Sequence, residues 1–237
     1  MASCAPPPVD LGGEVLSAGT RTTVTKNALQ LLSTASPSGL NLVCKTASVP
    51  IGGGKMTAAM TYDGLFPAKV IVAKNGDTAT INVTNNLAEN TTTHWHGLIV
   101  DPDNDGGPAK TINSAGGTLS YNFKLNQRAS LNWYHPHPHM NTGKQINLGM
   151  AGLFIVRDSE ETALGLPSGE FEIPLMIRDA TLDKNGNLSY KATSSGFVGQ
   201  IPLVNGTQTP YLSVKPTWYR FRVLNSSNRS EEHTSEL

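Results

Sequence analysis

The chain has 237 residues, room for one large domain or two of ordinary size, and its 18 basic and 18 acidic side chains cancel to a formal net charge of zero. Apolar residues at 38% and charged residues at 15% are compatible with a folded core. The even charge excludes the basic stripe of a nucleic-acid binder and any acidic block, and no apolar run approaches the roughly 18 residues of a membrane-spanning helix.

Residues 1–26 are rich in Pro, Gly, Ser and Thr and are expected to be a flexible segment. Within them, Ala2-Ser3-Cys4 followed by Ala5 and three prolines resembles the junction of a bacterial lipoprotein. A lipid anchor at Cys4 is one expectation and a plain disordered terminus the other; the charged and apolar regions of a signal peptide do not precede it. The other cysteine, Cys44, lies in an apolar stretch and reads as a small buried strand residue. Two cysteines make no disulfide framework.

Residues 27–32 are compatible with a strand or a helical turn. From residue 40 onward, short alternating stretches predict strands over 42–49, 55–62, 69–73, 78–83, 93–100, 119–125, 130–134 and 152–156. Asn75-Gly76-Asp77 predicts a tight turn between two of them, and 101–108 and 113–117 are loops by composition. The 23 Gly and 15 Pro fit this turn-rich reading. Eight short strands predict an all-β domain, a Greek-key sandwich or barrel, over residues 27–158. A polar linker at 159–170 with one helical turn follows. A second strand series then occupies 171–228: 171–177, a hairpin at 183–186, 201–204 and 218–224. It is too short to close a second domain, so 171–228 is expected to be an incomplete one. Residues 229–237 resemble the in-frame translation of a widely used sequencing adapter. The expectation is a gene fragment running into a non-native tail, and His233 is set aside with it.

Five of the six histidines fall in two runs, Thr93-His94-Trp95-His96-Gly97 and Trp133-Tyr134-His135-Pro136-His137-Pro138-His139. In an extended chain, residues two apart face the same way, so each run presents imidazoles side by side. Pro136 and Pro138 lack N–H donors and must take the second run out of regular pairing. Imidazole-only ligation suits copper, zinc, iron or nickel and argues against calcium or magnesium.

These two runs, with Gly149-Met150-Ala151-Gly152-Leu153-Phe154-Ile155-Val156, resemble the first cupredoxin domain of the multicopper oxidases, in particular the bacterial laccase-like and copper-efflux type. Supporting stretches are Tyr62 to Pro67, Asn75-Gly76-Asp77, Ile81 to Leu87, Asp105 to Pro108, and Val204-Asn205-Gly206 with Tyr219 to Asn225. The resemblance implies a cupredoxin-like fold and copper as cofactor. It implies His94 as a type 2 copper ligand and His96, His135 and His137 as type 3 ligands of a trinuclear cluster. Asp105 matches an acidic residue that relays protons in the family, although a turn former in a Gly-rich loop is an equal reading. His139 is expected to orient the site or be exposed, and Trp95 and Trp133 to pack its walls.

The resemblance further implies dioxygen and a small reducing substrate, a phenol or cuprous ion, as partners, and a periplasmic or extracellular location. The type 1 copper site needs a cysteine between histidines, and neither Cys4 nor Cys44 has a histidine neighbour. The chain is therefore expected to carry half of the trinuclear ligands and to be inactive by itself. Two alternatives stand beside this: a non-catalytic cupredoxin-fold binding protein, and a mononuclear cupin-like metal protein, for which a glutamate after the first His-x-His is missing.

Overall fold

The structure is a computed structural model describing residues 25–52, 54–193 and 196–228. Cys4, most of the expected flexible segment, and the adapter-like tail with His233 lie outside the described residues.

Two sheets face each other in the first unit. One has the spatial order Met56–Tyr62, Ser38–Pro50, Thr78–Asn85, Gly117–Lys124; the other runs Thr34–Ala35, Val70–Lys74, Gly152–Arg157, Ser130–His135, His94–His96. Ser38–Pro50 pairs in parallel with Thr78–Asn85, and Val70–Lys74 with Gly152–Arg157. These parallel neighbours arise because the chain crosses between sheets instead of returning by a hairpin, and they make the sandwich a Greek-key, cupredoxin-like one. Period-2 alternation fills the space between the sheets. Leu42, Cys44, Ile81, Val83 and Tyr121 from one sheet meet Ile71, Trp95, Tyr134 and Phe154 from the other, all essentially without exposure. Cys44 is thus a core residue, and burial pushes its thiol well above the ordinary range, which makes it a poor nucleophile.

Six of the eight strands predicted in this unit fall within two residues of the observed bounds; Ser38–Pro50 starts four residues early, and the 93–100 stretch is the larger exception. It yields only His94–His96. Gly97 follows at φ +87, and a Cβ there would sit 2.6 Å from the Asn132 side-chain oxygen, so the chain turns out of the sheet at a position where other residues are strained.

In the second unit Glu172–Ala180 lies between Arg220–Asn225, parallel, and Ile201–Val204, antiparallel, with Thr207–Gln208 at the edge. One face of this sheet packs on the first unit: Met176 and Leu224 join Val70, Trp133, Ile146 and Leu153. The other face carries Ile177, Phe221 and Val223, which are 37%, 48% and 52% exposed. Residues 27–28 pair with Pro210–Tyr211, so the start of the described chain crosses to the second unit. Polar contacts also bind the units. Arg157, Arg220 and Arg222 converge on Glu161 and Glu172. Arg178 is buried, donates to the Asn147 carbonyl and lies 5.2 Å over the Phe66 ring. Desolvation brings its pKa down to about 10, so it stays charged at neutral pH. Among the described residues no helix is long and apolar enough to cross a membrane.

Candidate metal centre

Antiparallel pairing sets His94 opposite His135, Trp95 opposite Tyr134 and His96 opposite Trp133. Alternation then sorts the side chains. His94, His96, Trp133 and His135 share the outer face, while Trp95 and Tyr134 point into the core with ring centroids 5.9 Å apart. Of the two tryptophans expected at the site, Trp133 is there, 4.0 Å from the His135 ring and 5.3 Å from that of His96. Trp95 is on the opposite side of the sheet, because it lies between two residues that face the site.

The paired strand ends at His135, just before the prolines, and the chain then brings His137 round to the same place. The His94 ring centroid lies 5.6, 5.4 and 5.3 Å from those of His96, His135 and His137. Donor nitrogens of His94, His96 and His135 all fall within 4.8 Å of one another. His96 Nδ1 and His135 Nε2 are 3.3 Å apart. Two nitrogens each about 2.0–2.1 Å from one tetrahedral ion would be separated by roughly 3.3 Å, so this pair is spaced to share an ion.

The outer contacts orient the rings. His94 Nδ1 is 2.7 Å from the Asp105 carbonyl and His135 Nδ1 is 2.8 Å from the Pro136 carbonyl. A carbonyl only accepts, so in both rings the proton sits on Nδ1 and the Nε2 lone pair is presented for ligation. Burial pushes the His94 pKa below its ordinary 6.5, against the opposing pull of the Asp105 carbonyl and carboxylate; the neutral form is the one that binds metal. The Asp105 carboxylate is 3.4 Å from the same nitrogen and 43% exposed, between His94 and solvent. It can come this close only because Gly106 follows. At φ +75, a Cβ on Gly106 would lie 1.8 Å from the Thr93 carbonyl oxygen.

His139 is exposed, on the turn that leaves the site, and does not join the four clustered rings. An imidazole-only donor set with carbonyl-oriented rings fits a first-row ion such as copper, and lacks the oxygen ligands of calcium or magnesium. Sequence reasoning missed the polar layer behind the rings, Thr91, Thr92, Thr93 and Gln145, all fully buried. Only the run of three threonines before His94 hinted at it.

A family model described as multicopper oxidase matches residues 43–161. A multicopper oxidase, Mco, of Staphylococcus haemolyticus is 39% identical over 168 residues, covering 70% of this chain and 37% of that protein. A laccase of Bacillus subtilis is 31% identical, covering 70% of this chain and 41% of that protein. Among solved structures, the McoA multicopper oxidase of Aquifex aeolicus superposes with a TM-score of 0.80 at 35% identity, over 86% of this chain and 47% of that one. The chain thus spans about two fifths of the length of the curated relatives it matches.

Proposed function

Because the chain belongs to the multicopper oxidase family, whose cofactor is copper, we propose that His94, His96, His135 and His137 supply half of the ligands of a trinuclear copper cluster. In this reading His94 serves the type 2 ion and His96, His135 and His137 the type 3 pair. The observation that carries it is the convergence of four imidazoles from two strands and the segment after the second, with His96 and His135 nitrogens at the separation of two ligands on one ion. Copper bound here supplies one-electron chemistry, coupling oxidation of a small reducing substrate, a phenol or cuprous ion, to reduction of dioxygen to water in the complete protein.

The residues of this chain hold, orient and screen. The Asp105 and Pro136 carbonyls fix the ring tautomers, and Trp133 closes one wall. In the same reading the Asp105 carboxylate passes protons inward, which its partial exposure and its contact with His94 support. Residues 27–158 form the first cupredoxin domain. The uncovered apolar face of the 171–228 sheet supports reading that part as one layer of a second. The working location is periplasmic or extracellular, and for the segment around Cys4 a lipid attachment and a plain terminus stand as alternatives. Mass analysis of a peptide containing Cys4 from the native host tests the attachment.

Titration of the chain with copper tests the ligand assignment. Weak, sub-stoichiometric binding is expected, since the ligands from the opposite wall and a type 1 site are not encoded here, and no oxidase turnover should accompany it. Tight binding of three coppers, or none at all, would refute it. The complete gene should encode a His-Cys-His further along; without one, the non-catalytic cupredoxin or cupin-like alternatives replace the oxidase.

A further inference from the structure

The ladder that joins the two histidine segments is short. Only three residue pairs link His94–His96 to Ser130–His135, and beyond His135 the chain enters Pro136 and Pro138, which have no N–H to donate. The one backbone donor between these prolines is that of His137, and it goes to a side chain, Thr92 Oγ1, at 2.6 Å. Thr92 is fully buried, as are Thr91 and Thr93 beside it, so their segment, not a sheet, holds His137 in place.

The Thr91 backbone pairs with that of Ile112, and Thr93 meets the Tyr62 and Tyr121 hydroxyls; on the side of the second histidine run the segment is held by a carboxamide. Gln145 lies on the short helix Thr142–Asn147 that follows the second histidine run and has no exposure. Its Nε2 donates to Glu89 Oε1 and to the Asn90 carbonyl, each at 2.8 Å, and its Oε1 accepts from Thr91 Oγ1 at 2.7 Å. Lys144 adds an ion pair to Glu89. The chain entering His94 is thereby tied to the chain leaving His137. Removing a partner from such a network leaves several buried polar groups unsatisfied at once.

We propose that Gln145 is a positioning residue that acts through Thr92 to set the distance between the two histidine segments, and so the affinity of the centre for copper. This rests on the reading that the four histidines bind copper, and the test separates the two ideas. In the metal-free chain, amide hydrogen exchange at His137 is measured for wild type, Gln145→Met, Thr92→Val and Thr92→Ser. Gln145→Met and Thr92→Val should accelerate that exchange at least about tenfold and move the ring resonances of His94 and His137. Thr92→Ser, which keeps the acceptor, should behave as wild type. Leu125→Ala, a buried truncation in the core, controls for general loosening and should leave the rings unmoved.

With Cu(II) added, the two disrupting variants should bind about 10- to 100-fold more weakly than wild type, the usual size of an outer-shell effect. Unchanged His137 exchange in Thr92→Val, or equal ring shifts in Leu125→Ala, would overturn the proposal. So would copper affinity within twofold of wild type in both variants. If the wild-type chain binds no copper, the copper reading fails, while the metal-free comparison still decides the role of Gln145. If Gln145→Met does not fold, Thr91→Val, which removes the hydroxyl that donates to Gln145, takes its place with the same expected acceleration, and unchanged His137 exchange in it would overturn the proposal.

Discussion

His135 and His139 lie four residues apart in one run of alternating histidines, yet one has no exposure and the other stands in solvent. The difference comes from the antiparallel partner. His135 is the last residue of the pairing opposite His94, where backbone register fixes its ring; His139 follows two prolines and has no such constraint. In equilibrium dialysis against Cu(II), His135→Ala should therefore bind at least about tenfold more weakly than wild type, and His139→Ala should stay within twofold of it. Metal analysis of the two variants checks this directly. Equal losses would mean that the exposed ring ligates too. Asp105 illustrates how one residue acts twice. Its carbonyl sets the His94 tautomer, and its carboxylate faces the same nitrogen from the solvent side. Only the carboxylate was legible as chemistry in the sequence, because a carbonyl leaves no mark on residue type.

The helix Ser159–Ala163 shows an element whose start the sequence specifies and whose purpose it does not. Asp158 accepts from the Glu161 N–H at 2.7 Å, an ordinary N-cap, and the turn so formed delivers Glu161 to Arg220 and Arg222 across the seam. Glu172, on the first strand of the second unit, meets Arg157 and Arg222 there. Burial pushes both carboxyls upward, but the guanidinium hydrogen bonds outweigh it and hold them below their ordinary 4.5. A carboxylate with a lowered folded-state pKa stabilises the fold above the unfolded value and loses that contribution as pH falls through the folded value. The urea midpoint should thus hold steady above pH about 5 and drop below it. Glu172→Gln should flatten the drop, with a loss at neutral pH on the order of 3 kcal/mol, as expected when one partner leaves a buried pair. An acid limb as steep as that of wild type would exclude this network as its source. Helix Thr142–Asn147, in contrast, was invisible beforehand. Six residues with Gly143 near the start carry no periodicity, and the helix is held through the contacts of its own Gln145 and by Arg178 from outside.

The whole molecule is asymmetric in how it covers its sheets. The first unit closes a sandwich over Trp95 and its neighbours, whereas the second buries one face and leaves Phe221 and Val223 in solvent. The native chain should therefore bind a dye such as ANS, which exposed apolar patches attract, and Phe221→Ser with Val223→Ser should reduce the fluorescence by more than half. Because nothing among the described residues covers Phe221 and Val223, each substitution should change stability by no more than about 0.5 kcal/mol, against several for a core truncation. Dye binding unchanged in the double variant would locate the patch elsewhere.

The sequence by itself determined the all-β class, most strands of the first unit, and the identity of the histidines and of the metal type they suit. Alternation and the His-x-His spacing are local and survive without a partner strand. Tertiary structure decided which face each tryptophan takes, which histidine stays outside, and that a buried carboxamide ties the two histidine segments together. Those depend on register and on contacts between residues up to 56 positions apart, and no residue type or spacing records them.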